Sequence, residues 1–464
     1  MRIAIVGAGM TGTLAALHLA RHAAAPVALT LIDRRARLGP AEAALRREDQ
    51  PMTVPVADAS AFPDDPAHFV RWLWAREIPA IGGAPVPPSG QAFVPRRAWR
   101  RYLDEMLEEL IRVADGLVTL DSRPRAVSRI DRSRRGLTLH FAEGGAVEAD
   151  HAVMATGPFR TRLPIADRRI GGAGARRILD PWDAEGFGWI GAQDPVVVLG
   201  TGQAMAEAAL ALDAAGHRGP IHAIGRRALL PCRHAPVSDP LAPFDPESPP
   251  AGVAEAAKIL RAAARRAGQQ DAEGGWRRAV DGARPAADAV WQAWTDRTRN
   301  RFLRHALPFW EAHRHRLAPT AADRIDRMIA EGRLTVEAAR IPAMAAEESG
   351  VRLAVRPRGG GVERVEEAAW LINAAGPEVD FARLDEPLIA QLSTNGLARP
   401  DRLRLGLAVT EDLRLVGRTG EPTPGLWALG PPTRGRFFEP VEIPEIRDQA
   451  SAFAQTLLTQ AMAG

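Results

Sequence analysis

Two glycine-rich turns lie about 190 residues apart in this chain, each after an apolar run and before an alanine-rich stretch. The first reads Ile5-Val6-Gly7-Ala8-Gly9-Met10-Thr11-Gly12 and the second Leu199-Gly200-Thr201-Gly202-Gln203-Ala204-Met205. The apolar runs suit buried parallel strands, and the stretches that follow suit helices. A strand–turn–helix unit of this kind receives the pyrophosphate of a dinucleotide. Two of them in order point to an α/β chain with two Rossmann-like domains, which holds one dinucleotide and docks a second.

The glycines of the first turn have separate duties. Gly7 permits the tight turn, Gly9 lets a pyrophosphate approach the backbone, and Gly12 lets helix and strand pack closely. Ala8, Met10 and Thr11 complete the loop and the first helical turn, whose free N–H groups and positive dipole end favour phosphate. A second strand over residues 27–32 ends at Asp33, 21 residues past Gly12, the offset of a ribose-binding carboxylate. An acid there disfavours a 2′-phosphate, so this site should take FAD or NAD rather than NADP.

The second turn departs from the first in two ways. Met205 fills the third glycine place, so strand and helix should pack less closely. The following strand, residues 220–224, ends in Gly225-Arg226-Arg227 instead of an acid. Two guanidiniums can hold a 2′-phosphate by forked hydrogen bonds, which favours NADPH. Two solvated arginines in an arginine-rich chain are the plainer alternative. Gly200, Thr201, Gly202 and Gln203 are the expected cofactor contacts of this turn.

Composition narrows the function. A chain of 464 residues with 46% hydrophobic residues can build two or three cores. A net charge of +4 argues against a basic nucleic-acid binder. The sequence has no apolar run of membrane-spanning length, and the first strand begins at Arg2, so a cytoplasmic location without membrane association is expected. Cys232 is the sole cysteine, which excludes a redox-active cysteine pair. His305, His313 and His315 do not fall into a metal-ligand spacing, and no metal is expected; an arginine–histidine helix face packed on the second unit is the plainer reading.

Two further strands end in similar fashion: His151 to Met154 runs into Ala155-Thr156-Gly157, and Leu371 to Asn373 into Ala374-Ala375-Gly376. In two-dinucleotide flavoproteins such segments mark passages between domains, so FAD is the better occupant of the first turn, with Thr156, Gly157 and Gly376 near it. Near the C-terminus an apolar strand ends at Gly430, and Pro444-Glu445-Ile446 opens a helix. That helix is expected to aim its positive end at the flavin. The resulting organisation places the FAD-binding domain at 1–165 and 370–464, the NAD(P)H-binding domain at 190–250 and 336–369, and a mainly helical insertion at 251–335.

Further segments give the chain a resemblance over nearly its full length. These are Phe93-Val94-Pro95-Arg96, Tyr102-Leu103, His217 to Ile221, Arg301 to His305, His313 to Arg316, Ala428 to Pro431 and Thr433-Arg434-Gly435. The sequence resembles the FAD/NAD(P)-binding proteins that include a bacterial FAD-dependent urate hydroxylase and an aspartate N-monooxygenase. The resemblance implies that NADPH reduces the flavin, that O2 then adds at its C4a position, and that a small nitrogen-containing substrate, a urate-like ring or an amine, is hydroxylated. Thr53, Arg96, Arg434 and Glu439 are the candidate catalytic residues. The chain departs from the family pattern at Gly39 to Ala44, which lacks a second glycine and a tyrosine, and at Thr53, where asparagine is usual. A flavin reductase or oxidase that never hydroxylates, and a non-catalytic FAD-binding sensor or assembly protein, remain alternatives. The oligomeric state is left open.

Overall fold

A computed structural model describes residues 1–34, 50–160, 162–183, 185–237, 239–269, 271 and 274–463. The unusual Gly39 to Ala44 segment lies outside the described residues. Among those described, a six-stranded sheet runs, edge to edge, Arg414–Val416, Pro422–Ala428, His151–Met154, Arg2–Val6, Val27–Ile32 and Val118–Arg123. Arg2–Val6 sits between two parallel neighbours, with Ile3 opposite Leu29 on one side and His151 on the other. Side chains alternate across a strand. Ile3 and Ile5 therefore enter one core, with Leu14, Tyr102 and Phe453, while Ala4 and Val6 enter another, with Ile130, Leu139 and Leu388. Burial on both faces explains why this strand reads as a continuous apolar run.

A second, larger sheet repeats the arrangement. Val196–Leu199 pairs in parallel with Ile221–Gly225 and Trp370–Asn373. Val196 and Val198 face a core shared with Met205 and Ala209, and Val197 and Leu199 face one shared with Leu353 and Val355. The helices Val253–Gly268, Gly275–Ala283, Ala287–Ala293, Asp296–His305, Leu307–Arg314 and Pro319–Ala330 follow in the stretch expected to be helical.

The structure corrects the boundary set at residue 370. Trp370–Asn373 was assigned to the first unit, but it hydrogen-bonds with Val196–Leu199 in the second sheet. Leu334–Arg340, cut by the boundary at 336, also lies wholly in the second sheet beside Ile221–Gly225. The reason is the βαβ rule: a strand entering beside the second glycine turn completes that turn's own parallel sheet.

The first helix, Met10–His22, buries a histidine. His18 is fully buried, its Nε2 lies 3.0 Å from the Ala61 carbonyl, and its ring stacks on His22. Burial, helped by the charge of His22, lowers its pKa to about 4. The unfolded state therefore takes up the proton first as pH falls, so the stability given by neutral His18 is present above about pH 6.5 and is lost as pH drops towards 4. We expect stability to decline by on the order of 3 kcal/mol across that window, and His18→Gln to flatten the slope in a series of denaturant titrations. An unchanged slope in the variant would assign the acid sensitivity elsewhere.

Candidate functional site

The two glycine turns are built on one plan. Gly7 has φ +110° and donates its N–H to the Ile32 carbonyl at 2.7 Å. Gly200 has φ +104° and donates to Ile224 at 2.8 Å. A Cβ on Gly7 would lie 2.2 Å from the Ala155 carbonyl oxygen, and one on Gly200 would lie 2.3 Å from that of Ala374. The segments Ala155-Thr156-Gly157 and Ala374-Ala375-Gly376 thus press against the two turns in the same way. Gly157 and Gly376 each take a positive φ, with open space where a side chain would stand.

Gly9 and Gly202 occupy the next equivalent place. Each is extended and caps the helix that follows, Met10–His22 in one case and Gln203–Ala214 in the other. A Cβ on either would meet nothing within 4 Å. These are the faces a phosphate can approach, and the geometry fits one at each turn. Gly12 is different: its Cβ would fall 1.8 Å from the Gly7 carbonyl oxygen, so only glycine allows the contact. At the second turn Met205 takes that place and is fully buried.

The acid and the arginines also diverge. Asp33 accepts the Ala8 N–H at 3.0 Å, which holds a carboxylate beside the first turn. The equivalent point of the second turn has Thr201, whose hydroxyl donates to the Leu229 carbonyl at 2.8 Å. Beyond it stand Arg226 and Arg227. Arg358, contributed by a different segment, donates to the Arg226 carbonyl at 3.3 Å. Arg227 donates to the Arg304 carbonyl at 3.0 Å and lies over the exposed ring of Phe309. Burial, then the charges of Arg226 and Arg358, lower the Arg227 pKa. Among the described residues no carboxylate pairs with these three guanidiniums.

Two further observations concern the first turn. Thr156 has a buried hydroxyl with no hydrogen-bond partner among the described residues. Gly430, at φ +70°, packs directly on Thr11: a Cβ there would sit 2.7 Å from the threonine hydroxyl. The Gly430 N–H donates to Gln449 on the helix Ile443–Ala463, so the C-terminal strand, that helix and the first turn meet at one point.

The candidate catalytic residues fall into two groups. Thr53 and Arg96 line a cleft together with Gln50, Gln203, Glu207 and Arg316. Arg96 is held there by Glu207, 2.6 Å away. Arg434 and Glu439 do not line that cleft; both contact the helix Leu307–Arg314. Arg434 pairs with Glu311 at 3.3 Å, and Glu439 accepts from the Trp310 indole and lies 3.3 Å from Arg314. Of the three residues expected at the C-terminal helix start, Ile446 is core, and Glu445 pairs with Arg284 at 2.7 Å and Arg314 at 3.3 Å. Pro444 opens the helix at its second position.

A buried ionic knot surrounds Arg314. Glu439, Glu442 and Glu445 all approach its guanidinium. His315 places Nδ1 2.8 Å from Glu442. Burial disfavours charge on Glu442, but Arg314 and His315 prevail and bring its pKa down to about 2. Burial likewise opposes protonation of His315, yet its hydrogen bond to Glu442 and the charges of Glu442 and Glu439 raise its pKa. The expected arginine–histidine helix face is therefore corrected. The helix ends at Arg314, and His315 leaves helical geometry, so Arg314 and His315 turn to the glutamates while Arg316 turns to Asp281. His313 is spent on the Phe309 carbonyl and the Trp276 ring.

Gln50 and Glu207 have no signal in the sequence, and Arg314 and Arg316 enter there only within the run His313 to Arg316. The run His313 to Arg316 was a usable signal, because four consecutive basic or titratable residues at a helix end must diverge in direction.

Comparison with known proteins agrees with this architecture. Residues 4–159 match the sequence family described as FAD-NAD(P)-binding. No curated protein sequence matches the chain. Among solved structures, an ornithine N-hydroxylase from Kutzneria sp. 744, described with reduced FAD, NADP+ and L-ornithine, superposes with a TM-score of 0.66 at 15% identity, covering 99% of both chains. An L-lysine 6-monooxygenase from Pseudomonas syringae gives 0.63 at 16% identity, again covering 99% of both. The FAD-bound cadaverine monooxygenase of Erwinia amylovora gives 0.62 at 11%, covering 99% of this chain and 94% of that one. The fold is thus the α/β fold of the two-dinucleotide-binding flavoproteins. Among the described residues, no helix is long and apolar enough to cross a membrane.

Proposed function

We propose that this chain is an FAD-dependent, NADPH-using monooxygenase that hydroxylates the nitrogen of a small amine. The observation that carries the reading is the pairing of two open glycine turns with opposite charges beyond them. Asp33 stands at one, and Arg226, Arg227 and Arg358 stand at the other. When bound, the flavin supplies hydride acceptance and the activation of O2.

The residues of this chain supply binding and order. Gly9 and the first turn of Met10–His22 receive the FAD pyrophosphate, and Asp33 excludes a 2′-phosphate from that ribose. Thr156 offers its unpaired hydroxyl at the same site. The start of Ile443–Ala463, where Glu445 pairs with Arg284, would turn a positive helix end towards a bound flavin. At the second turn Gly202 admits the NADPH pyrophosphate, and the three arginines select its 2′-phosphate. Thr53 and Arg96 line a cleft whose wall includes Gln203, at the start of the helix after the second turn. They would orient the substrate there, with Arg434 and Glu439 bracing the helix behind it.

An amine is preferred over a urate-like ring because an ornithine N-hydroxylase, an L-lysine 6-monooxygenase and a cadaverine monooxygenase share the fold with TM-scores of 0.66, 0.63 and 0.62, above the 0.53 and 0.54 of a thioredoxin reductase and a bacillithiol disulfide reductase. The test is stoichiometry in the purified holoprotein under air, with a panel of amines and urate. NADPH consumed in equal amount with hydroxylamine product supports the reading. NADPH consumed with hydrogen peroxide alone across the panel would leave a reductase or oxidase, and no flavin reduction by either nucleotide would leave a sensor.

The nucleotide choice has its own test. Arg226→Ala with Arg227→Ala removes two charge-assisted contacts, so Kd for NADPH should rise about tenfold or more while that for NADH stays unchanged. Equal weakening of both nucleotides would place the 2′-phosphate elsewhere.

A further inference from the structure

A surface cavity of about 280 Å³ lies on the second unit, lined by Asp213, Arg218, Arg324, Arg327, Glu331 and Arg333. One water needs only ~10–15 Å³ of such space, so a group of several heavy atoms has room. The fold sets this cavity apart from the cofactor turns. Asp213 stands in the last turn of the helix Gln203–Ala214, whose other end is capped by Gly202. At a rise of ~1.5 Å per residue the two are about 16 Å apart along the helix axis. Arg218 lies just before the strand Ile221–Gly225, and Arg333 just before Leu334–Arg340, with Ile221 opposite Leu334 in the sheet. The cavity therefore sits at the amino ends of these strands, whereas Arg226 and Arg227 follow the carboxyl end of one of them. Dinucleotides bind at carboxyl ends.

The lining is a converging set of guanidiniums. Asp213 gathers three of them, Arg324 at 2.6 Å, Arg333 at 3.1 Å and Arg218 at 3.3 Å. Burial opposes charge on Asp213, but Arg324 and then Arg333 prevail and lower its pKa. Arg333 also pairs with Glu331 at 2.8 Å. Arg327 is exposed, one helical turn beyond Arg324, and its guanidinium has no partner among the described residues. Protein acceptors occupy Nη1 of Arg218, Nη2 of Arg324, and Nε and Nη1 of Arg333. Each of these arginines thus keeps a nitrogen whose N–H groups have no acceptor among the described residues.

Four guanidiniums against two carboxylates leave two positive charges in excess. The helices Gln203–Ala214 and Pro319–Ala330 both end here, and each end adds about half a negative charge, so the balance stays positive. An anion completes this set. A carboxylate, with one charge and two oxygens in a plane, engages a single guanidinium fork. A phosphoryl group carries up to about two charges and three strong acceptor oxygens. It matches donors that come from three segments: the loop before Ile221, the helix Pro319–Ala330 and the turn before Leu334.

We propose that this cavity is a phosphate-binding site separate from both dinucleotide turns. Arg218, Arg324, Arg327 and Arg333 receive the phosphoryl oxygens, and Asp213 holds three of these arginines in position. The group has two sources, free inorganic phosphate or a small phosphomonoester. The site does not rest on the NADPH reading.

The experiment is calorimetric titration of the full-length, FAD-loaded protein at constant ionic strength with inorganic phosphate, glycerol phosphate and acetate. The cofactor turns also favour phosphate, so each titration is repeated on the Arg226→Ala/Arg227→Ala protein. In both proteins a phosphate probe should bind about tenfold or more tightly than acetate. Arg218→Gln and Arg327→Gln should each weaken that binding about tenfold. Both side chains are exposed, so melting temperature and flavin content should stay at the parent's. Tighter binding of inorganic phosphate than of glycerol phosphate assigns the site to the free ion, and the reverse assigns it to a monoester. Three results would overturn the site: equal affinity for phosphate and acetate, phosphate binding that survives both arginine variants intact, or binding lost only in Arg226→Ala/Arg227→Ala. Failure of NADPH to reduce the flavin would overturn the functional reading and leave the phosphate result standing.

Discussion

Gly12→Ala is expected to abolish flavin retention and to destabilise the protein by about 3 kcal/mol or more. The added methyl would sit 1.8 Å from the Gly7 carbonyl oxygen and 3.2 Å from the Ile5 side chain. Neither obstacle can yield cheaply. The Gly7 carbonyl is backbone in a turn whose N–H is tied to Ile32, and Ile5 is fully buried in the central strand. The helix must therefore move off the sheet and lose packing along Leu14, Leu17 and Phe453. Gly9→Ala and Gly202→Ala form the contrast. Both residues have backbone angles open to any amino acid, and a Cβ at either meets nothing within 4 Å. Their melting temperatures without ligand should stay near the parent's, a change within about 1 kcal/mol. Binding should nevertheless fall, of FAD for Gly9→Ala and of NADPH for Gly202→Ala, because the methyl stands where phosphate approaches. Thermal unfolding and flavin content of the three purified variants check this. A stable, flavin-replete Gly12→Ala protein would contradict the packing argument.

The same contrast explains what the sequence could disclose. Gly7, Gly9, Gly12 and Asp33 are local: strand, turn, helix and acid fall within one short stretch, and each has a backbone reason for its identity. The structure joins them as that logic requires, with Ala8 bonded to Asp33. Arg226 and Arg227 were legible for the same reason, since they end the strand after the second turn. Arg358 was not, because it reaches the Arg226 carbonyl from the turn after the strand Gly350–Pro357, far away in sequence. Domain limits failed at Trp370 for a related cause. An apolar run shows that a strand is buried but not which sheet receives it. The Thr53 cleft depended on four separate segments meeting, so Gln50, Glu207 and Arg316 carried no local signature. Arg434 and Glu439 sit in segments picked out by the resemblance, yet their partners on Leu307–Arg314 give them a bracing geometry rather than a place in the cleft.

Arg314→Met should cost about 3–5 kcal/mol, the second large effect expected, because it leaves carboxylates buried without their cation. Arg314 is 4% exposed in its side chain, Glu439 9% and Glu442 7%, so water cannot take its place cheaply. Arg434→Ala is the control: Glu311 is largely accessible, and loss of that pair should cost under about 1 kcal/mol. The pH dependence follows from Glu442. Its folded pKa, about 2, is below its ordinary value, so its contribution is present above about pH 4.5 and is lost as pH falls towards 2. Removing Arg314 removes that contribution, so the gap between parent and variant should be widest near neutrality and should narrow through the same window. Neutralising the partners by Glu439→Gln and Glu442→Gln in the Arg314→Met background should recover much of the loss at neutral pH. Urea titrations at several pH values give all three comparisons, and a gap that does not vary with pH would mean that the cost is packing alone. The knot also fixes Glu445 at the start of Ile443–Ala463, the helix whose Gln449 holds Gly430 against Thr11 in the first glycine turn. Weaker flavin retention should therefore accompany the stability loss in Arg314→Met and return with the partner substitutions, since the same contacts that neutralise the buried charges set the position of that helix.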